Sequence, residues 1–265
     1  MALEPMRNAN AVLPPDLPPG LPPATVDRVL DGRVVIAQPA DGYRVAIDPV
    51  LLAAAVDAAP GARVLDLGCG VGTAALCLAA RLPGVAVVGL EIEPVFAAFA
   101  AANVRRNAGA GRVEILCGDL LAPPAALRPA SFDQAMANPP YLKRGAATAS
   151  AHPLKAAATM EGQAGLGDWT ACAARLLRPG GRLTLIHRAD RLPDLLAALA
   201  GDFGDLRVLP LLPKSGAAPK RILLRAVRGA AAGLVEVPGL VLHDAAGGFT
   251  PEAAAILRAG QGLSI

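Results

Sequence analysis

Four short stretches between residues 66 and 141 carry side chains suited to chemistry. The first, Asp66-Leu67-Gly68-Cys69-Gly70-Val71-Gly72, sets three glycines at alternate positions. Without β-carbons the backbone can turn sharply there and come close to a ligand. The spacing is Gly-x-Gly-x-Gly rather than the Gly-x-Gly-x-x-Gly of dinucleotide folds. No Lys-Ser/Thr follows, so a phosphate-cradling loop is excluded. Asp66 puts a carboxylate beside the loop, which disfavours a pyrophosphate and suits a cationic ligand, such as the amino acid part of S-adenosyl-L-methionine. Glu91 follows at the distance, about 20 residues, at which an acidic side chain accepts from both ribose hydroxyls. Buried acceptors left unpaired are costly, so a ligand without those hydroxyls should bind poorly. In Cys117-Gly118-Asp119, Asp119 could accept from an adenine amino group. Singly, these features also read as a Gly-rich turn, a surface glutamate and a loop-capping aspartate. Three in succession at three strand ends favour an S-adenosyl-L-methionine site.

The fourth stretch is Asn138-Pro139-Pro140-Tyr141. A conjugated amino group is a poor nucleophile because its lone pair is delocalised. Two acceptors aimed at its protons, the Asn138 amide oxygen and the Pro139 carbonyl, would draw the nitrogen toward tetrahedral geometry. Pro140 would stiffen the loop, and Tyr141 would stack on a planar substrate. A methyl group on positively charged sulfur needs in-line alignment more than acid or base help. The plainer reading of the tetrad is a turn.

These stretches need a scaffold that brings successive strand ends together, and the pattern predicts one. Val26–Leu30 and Arg33–Gln38 read as a hairpin around Asp31-Gly32, a pair suited to a type I′ turn. A turn at 39–42 leads into 43–47. Asp48-Pro49 then starts a helix, with Asp48 as N-cap and Pro49 at the first helical position. Strands are expected at Ala62–Asp66, Val85–Glu91, Val113–Cys117, Phe132–Ala137, Arg182–His187, Leu206–Leu212 and Ile222–Val227. Helices are expected at Thr73–Leu82, Pro94–Asn107, Gln163–Leu177 (closed by Pro179-Gly180-Gly181) and Leu192–Ala200, with a short capped one at Thr250–Gly260. Alternation of this kind implies a mostly parallel sheet covered on both faces, with ligands beyond the carboxyl ends of its strands. His187, at a strand end, reads as a satisfied scaffold histidine, and Trp169 as core.

Composition narrows the class further. The 265 residues are 54% hydrophobic and 18% charged, which excludes a disordered chain. Much of the apolar count is alanine, 58 residues. No run of about 18 residues escapes charge, Gly or Pro, so no membrane span is expected. Residues 1–24 are proline-rich, lack the basic start and apolar run of a signal peptide, and read as a flexible leader. The remainder, 25–265, reads as one domain: a hairpin and helix extension (25–60), a catalytic core (61–228) and a C-terminal extension (229–265). Cys69, Cys77, Cys117 and Cys172 lack metal-ligand spacing and read as buried, reduced thiols of a cytoplasmic protein, with no metal expected. Charge is uneven: residues 1–141 hold 10 basic and 13 acidic side chains, residues 142–265 hold 15 and 9. A polyanionic partner touching the C-terminal half fits that asymmetry. Lys143, Arg144, His152 and Lys155 lie in the long segment after the tetrad. Arg207, Lys214, Lys220, Arg221, Arg225 and Arg228 form a stretch without acids. Both could meet phosphates, or the second could be a solvated sheet edge.

Asp-Leu-Gly-Cys-Gly-Val-Gly with Asn-Pro-Pro-Tyr resembles the class I S-adenosyl-L-methionine-dependent amino methyltransferases. Gly42-Tyr43-Arg44-Val45-Ala46-Ile47-Asp48 with Leu51-Leu52-Ala53, Arg221-Ile222-Leu223-Leu224, and 240–244 with 249–252 resemble the bacterial valine-tRNA adenine N6-methyltransferase family. The resemblance implies an α/β, Rossmann-like fold: a mostly parallel seven-stranded sheet with helices on both faces and an N-terminal β-hairpin. It implies Asn138, Pro139, Pro140 and Tyr141 as catalytic residues. Asp66, Gly68, Gly70, Gly72, Glu91, Asp119 and Asn138 would hold the cofactor. Asp48 would lie near the cofactor, as against its plain N-cap role. The substrate implied is an adenine 6-amino group in a tRNA, with Lys143, Arg144, Lys155, Lys214, Lys220 and Arg221 on the RNA. Alternatives are a glutamine methyltransferase acting on release factors, a guanine-specific rRNA methyltransferase, and a non-catalytic RNA-binding protein on the same scaffold. The oligomeric state is not legible.

Overall fold

Strand β3 (Arg63–Leu67) is the strand from which the sheet grows outward in both directions. The computed structural model describes residues 17–41, 45–107, 112–141 and 162–265. On one side of β3 lie β4 (Ala86–Glu91) and β5 (Val113–Cys117). On the other lie β6 (Phe132–Ala137), β7 (Leu177–Arg188), β9 (Arg221–Arg228) and β8 (Phe203–Lys214). Only β9 runs against the rest. These seven are the expected sheet. Two short strands, β10 (Leu234–Glu236) and β11 (Leu240–His243), extend it to nine. They pair in parallel with successive parts of β8, whose 12 residues leave a free edge long enough for both. Chain order reverses between β3 and β6, which opens a crevice beyond their carboxyl ends.

Helices cover both faces because the strands are apolar on both. Within β3, Val64 joins one buried cluster and Leu65 and Leu67 the other. Helices α1 (Asp48–Ala55), α2 (Thr73–Arg81), α3 (Pro94–Arg106) and α6 (Pro251–Leu257) supply the first cluster. Helices α4 (Leu166–Leu176) and α5 (Leu192–Leu199) supply the second. Phe99 and Phe132 are fully buried, one in each cluster. Burying such a side chain contributes about 1.5–3 kcal/mol. Thr250 caps α6 by accepting from the Ala253 N–H, and Leu263 N–H donates to Ala54 O, tying the C-terminal segment to α1.

The N-terminal hairpin, β1 (Ala24–Val29) and β2 (Val34–Pro39), docks on α3 through two asparagines one helical turn apart. Asn103 and Asn107 bond the main chain of Ala37 and Val35 in both directions at 2.8–2.9 Å, as a neighbouring strand would. Asn103 Nδ2 also donates to Val71 O, so the same side chain joins the hairpin to the glycine loop.

Several expectations need correction. The hairpin loop, residues 30–33, is centred on Asp31-Gly32 as expected, with both at positive φ and Arg33 N–H donating to Leu30 O, but Leu30 also takes a positive φ, which the sequence did not announce. Leu17 is buried and Leu21 packs against the first cluster, so the packed chain already includes part of the proline-rich stretch. Asp48 is the first residue of α1 and makes no cap; its carboxylate is engaged elsewhere, as described below. Pro179-Gly180-Gly181 lies within β7, where the β6 register shifts and Gly180 takes a positive φ. Cys117 is exposed because β5 forms the sheet's edge; the other three cysteines are buried. Residues 42–44, Lys143, Arg144, His152 and Lys155 lie outside the described residues.

Candidate active site

The crevice at the order reversal is a cavity of about 400 Å³. Asp66, Gly68, Gly70, Glu91, Asp119 and Asn138 all bound it, drawn from the ends of β3, β4, β5 and β6. Gly72 is the residue before α2.

The loop after β3 requires its glycines. Gly68, Gly70 and Gly72 have φ of 66°, 55° and 84°, a region that penalises side chains. A β-carbon on Gly68 would stand 2.4 Å from the Trp169 ring, and one on Gly72 would stand 3.3 Å from Ala100 Cβ. Gly68 and Cys69 N–H both donate to Leu90 O, which pins the loop against β4.

Two buried acids hold the loop from beneath. Glu91 Oε2 accepts from Gly70 N–H at 2.8 Å and Oε1 from Glu93 N–H at 2.9 Å, while each oxygen keeps a second lone pair. Burial raises its pKa, partly opposed by these two bonds. Asp66 Oδ2 accepts from Ala75 N–H, in the first turn of α2, at 3.1 Å. Burial pushes the Asp66 carboxyl up to about 8, against that bond and with help from the Glu91 charge. A carboxylate so placed gains by meeting a cation. Thr73 also bounds the cavity, and its Oγ1 has no hydrogen-bond partner among the described residues. That hydroxyl and the amino end of α2 suit an anionic group. The donor set therefore fits an ammonium and a carboxylate on one ligand, with a glycine cradle that admits close approach. Asp119, just past β5, also bounds the cavity, and its Oδ1 accepts from Leu121 N–H at 2.9 Å.

The tetrad closes the other side of the cavity. Asn138 Oδ1 and the Tyr141 hydroxyl lie 2.6 Å apart, and the same hydroxyl is 2.6 Å from Asp48 Oδ2. Arg221 lies over the Tyr141 ring at 4.4 Å and donates to Asp48 Oδ2 at 3.3 Å. His187 meets the ring edge-on at 5.2 Å, with Nε2 3.4 Å from Pro140 O. Arg191 Nη1 donates to Tyr141 O at 3.2 Å. Burial, with Arg191 and Arg221 nearby, lowers His187 to about 4, so it is neutral at pH 7 and Nε2 carries the proton facing Pro140. Its Nδ1 has no hydrogen-bond partner among the described residues, so within them the expected satisfied histidine is satisfied on one side only.

A methyl-donor pocket and an Asn-Pro-Pro-Tyr tetrad thus share one crevice on this scaffold. Residues 44–210 match the methyltransferase small domain family. The chain belongs to that family. The methyltransferase is 34% identical over 233 residues to a protein of Porphyromonas gingivalis named tRNA1(Val) (adenine(37)-N6)-methyltransferase, covering 83% of this chain and 89% of that one. It is also 34% identical to a release factor glutamine methyltransferase of Gloeobacter violaceus, but over 56% of this chain and 54% of that one. Among solved structures, a predicted O-methyltransferase of Agrobacterium tumefaciens superposes with a TM-score of 0.70 at 27% identity. That match covers 82% of this chain and 99% of the other.

Two features of the methyltransferase's site were not legible in the sequence. Trp169, expected as plain core, is buried but bounds the cavity and packs on Gly68. Ile92, next to Glu91, and Leu121 also bound the cavity and are large exposed apolar side chains. A bare aliphatic side chain beside the buried glutamate at the end of β4 is a signal that could have been used. Of the expected RNA contacts, Lys214 and Lys220 are exposed on the β8–β9 turn, at the carboxyl end of β8. That is the end of the sheet where the cavity lies, because β8 runs parallel to β6 and β7. Arg221 is half-buried and engaged with Asp48 and Tyr141. No helix among the described residues is long and apolar enough to cross a membrane, and no metal-binding cluster occurs among them.

Proposed function

We propose that this methyltransferase transfers the methyl group of S-adenosyl-L-methionine to the 6-amino group of an adenine in tRNA. The observation that carries the reading is the tetrad at the end of β6, opening on the same cavity as the glycine loop of β3. The extent of the similarity supports the RNA substrate: the tRNA-modifying relative aligns along most of both chains, the glutamine-modifying one along about half.

S-adenosyl-L-methionine, when bound, supplies a methyl carbon on a positively charged sulfur. Asp66 would hold its ammonium, Thr73 and the start of α2 its carboxylate, Glu91 the ribose hydroxyls and Asp119 the adenine amino group. Gly68, Gly70 and Gly72 let the backbone come close. Across the cavity, Asn138 and the Pro139 carbonyl accept from the substrate amine and turn its lone pair outward. The face of Tyr141 not covered by Arg221 stacks on the base. No general base is needed before attack, and neutral His187 takes no proton. Lys214 and Lys220 meet phosphates of the anticodon arm, with Lys143, Arg144 and Lys155 as further candidates. A tRNA substrate places the protein in the cytoplasm.

The test is methyl transfer from labelled S-adenosyl-L-methionine to unmodified tRNA and, separately, to release factor, followed by mass spectrometry of the RNA nucleosides. N6-methyladenosine in the tRNA is expected. Label in release factor glutamine and none in RNA would overturn the reading in favour of the amide substrate.

A further inference from the structure

The Tyr141 hydroxyl has one proton, and two acceptor-bearing side chains stand close to it. Asp48 Oδ2 and the Asn138 amide are each 2.6 Å away. A hydroxyl can donate only once, so the second neighbour at that distance must itself donate. Asp48 is the stronger acceptor: it is a carboxylate, and Arg221 Nε lies 3.3 Å from the same oxygen. The Tyr141 proton therefore goes to Asp48, and the Asn138 end assigned as Oδ1 beside Tyr141 has to be the amide nitrogen instead. An amide's oxygen and nitrogen exchange places by a half-turn, and the hydrogen-bond network decides between them.

We propose that Asp48, acting through the Tyr141 hydroxyl, is a positioning residue that fixes which end of the Asn138 amide enters the cavity. With the nitrogen turned to Tyr141, the carbonyl oxygen is the end presented to the substrate. In that orientation the site takes a group bearing N–H donors, an exocyclic or amide NH2. In the opposite one, two sets of N–H would face each other. The Arg221 guanidinium over the Tyr141 ring and the His187 imidazole against its edge keep the phenol on the line between Asp48 and Asn138. On this account Asp48 does not hold the cofactor. The cavity wall beside it is made by Pro49 and Leu52.

The inference rests on the proposed amine substrate, and two independent readouts separate its failure from that of the reading. The kinetic arm uses Asp48→Asn, Tyr141→Phe and the double variant. The amide introduced by Asp48→Asn could donate to the Tyr141 oxygen, sending the phenol proton to the Asn138 oxygen and blocking it. In Asp48→Asn, kcat on tRNA should fall by about 10- to 100-fold, the scale for misplacing one preorganised polar group. KM for tRNA and Kd for S-adenosyl-L-methionine should stay within about twofold. Because Asp48 acts through Tyr141, the double variant should be no slower than Tyr141→Phe, a non-additive cycle. The spectroscopic arm follows the Asn138 side-chain NH2 by 15N NMR in the folded protein. One of its protons should be shifted and protected in the wild type, and lose both marks in Tyr141→Phe. A tenfold weaker cofactor Kd with kcat retained, multiplying single effects, or an Asn138 NH2 indifferent to Tyr141 would overturn the inference. A wild type that methylates no tRNA would sink the substrate reading, and the NMR arm would still decide the amide orientation.

Discussion

The two walls of the cavity are built by opposite strategies. The wall formed by β3, β4 and β5 is made of acids and glycines within a few residues of their strand ends, bonded to backbone close by. Glu91, for instance, bonds Gly70 and Glu93 main chain. The wall formed by the tetrad is held by side chains from α1, β7, the turn Ala189–Arg191 and β9, between 46 and 93 residues away in sequence. The first wall is a motif; the second is an assembly. A cofactor that is the same for many enzymes can be met by a fixed local pattern, whereas an acceptor group must be held at one angle by parts the fold alone brings together.

Breaking the assembled wall should show most in turnover. Asn138→Ala removes an acceptor aimed at the substrate amine, and kcat should drop on the order of 100- to 1,000-fold. Cofactor affinity measured by calorimetry should change far less. An equal loss in both would mean that the two walls are not separable.

Breaking the motif wall should show in binding and stability. A methyl group on Gly68 meets Trp169 at 2.4 Å and a φ of 66°. Gly68→Ala should cost about 3 kcal/mol by overpacking and backbone strain. It should abolish detectable S-adenosyl-L-methionine binding. Adding Trp169→Leu should restore part of the thermal stability, because the clash is with that ring.

The buried acids give the motif wall a pH signature opposite in sign to that of His187 behind the tetrad, whose lowered pKa costs stability as pH falls below the ordinary imidazole range. Asp66 is raised from the ordinary carboxylate range to about 8 in the ligand-free fold. Its contribution to stability is full below about pH 4 and is lost as pH rises through about 8. Glu91, also raised, acts in the same direction. The ligand-free protein should therefore melt at lower temperature at pH 8 than at pH 5. An ammonium beside Asp66 favours its ionised form, so binding should release a proton and tighten by up to about tenfold per unit between pH 6 and 8. Calorimetry in buffers of different ionisation enthalpy reads that proton; identical heats would separate Asp66 from the cation.

The smallest effect belongs to the rim outside both walls. Lys214→Ala with Lys220→Ala should raise KM for tRNA several-fold with kcat kept, and should lower the salt slope of RNA binding by about one per lysine. An unchanged slope would return the β8–β9 turn to the status of a solvated edge.

The sequence by itself determined most of the motif wall. Gly68, Gly70 and Gly72 are legible because only glycine tolerates that backbone, and Asp66, Glu91 and Asp119 because strand ends in a parallel sheet converge. It also determined the order of strands and helices, through periodicity and Gly/Pro punctuation, and the tetrad as a motif. What only the tertiary structure decided is who holds the tetrad. Asp48 reads as an ordinary helix cap in sequence, and nothing within α1 says that its carboxylate meets a phenol 93 residues later. Trp169 reads as core until Gly68 is seen beneath its ring. Likewise β10 and β11 join the sheet only because β8 runs long enough to leave an edge for them. Local backbone demands leave a mark on residue type at each position, whereas contacts between distant elements depend on packing that any one segment leaves undetermined.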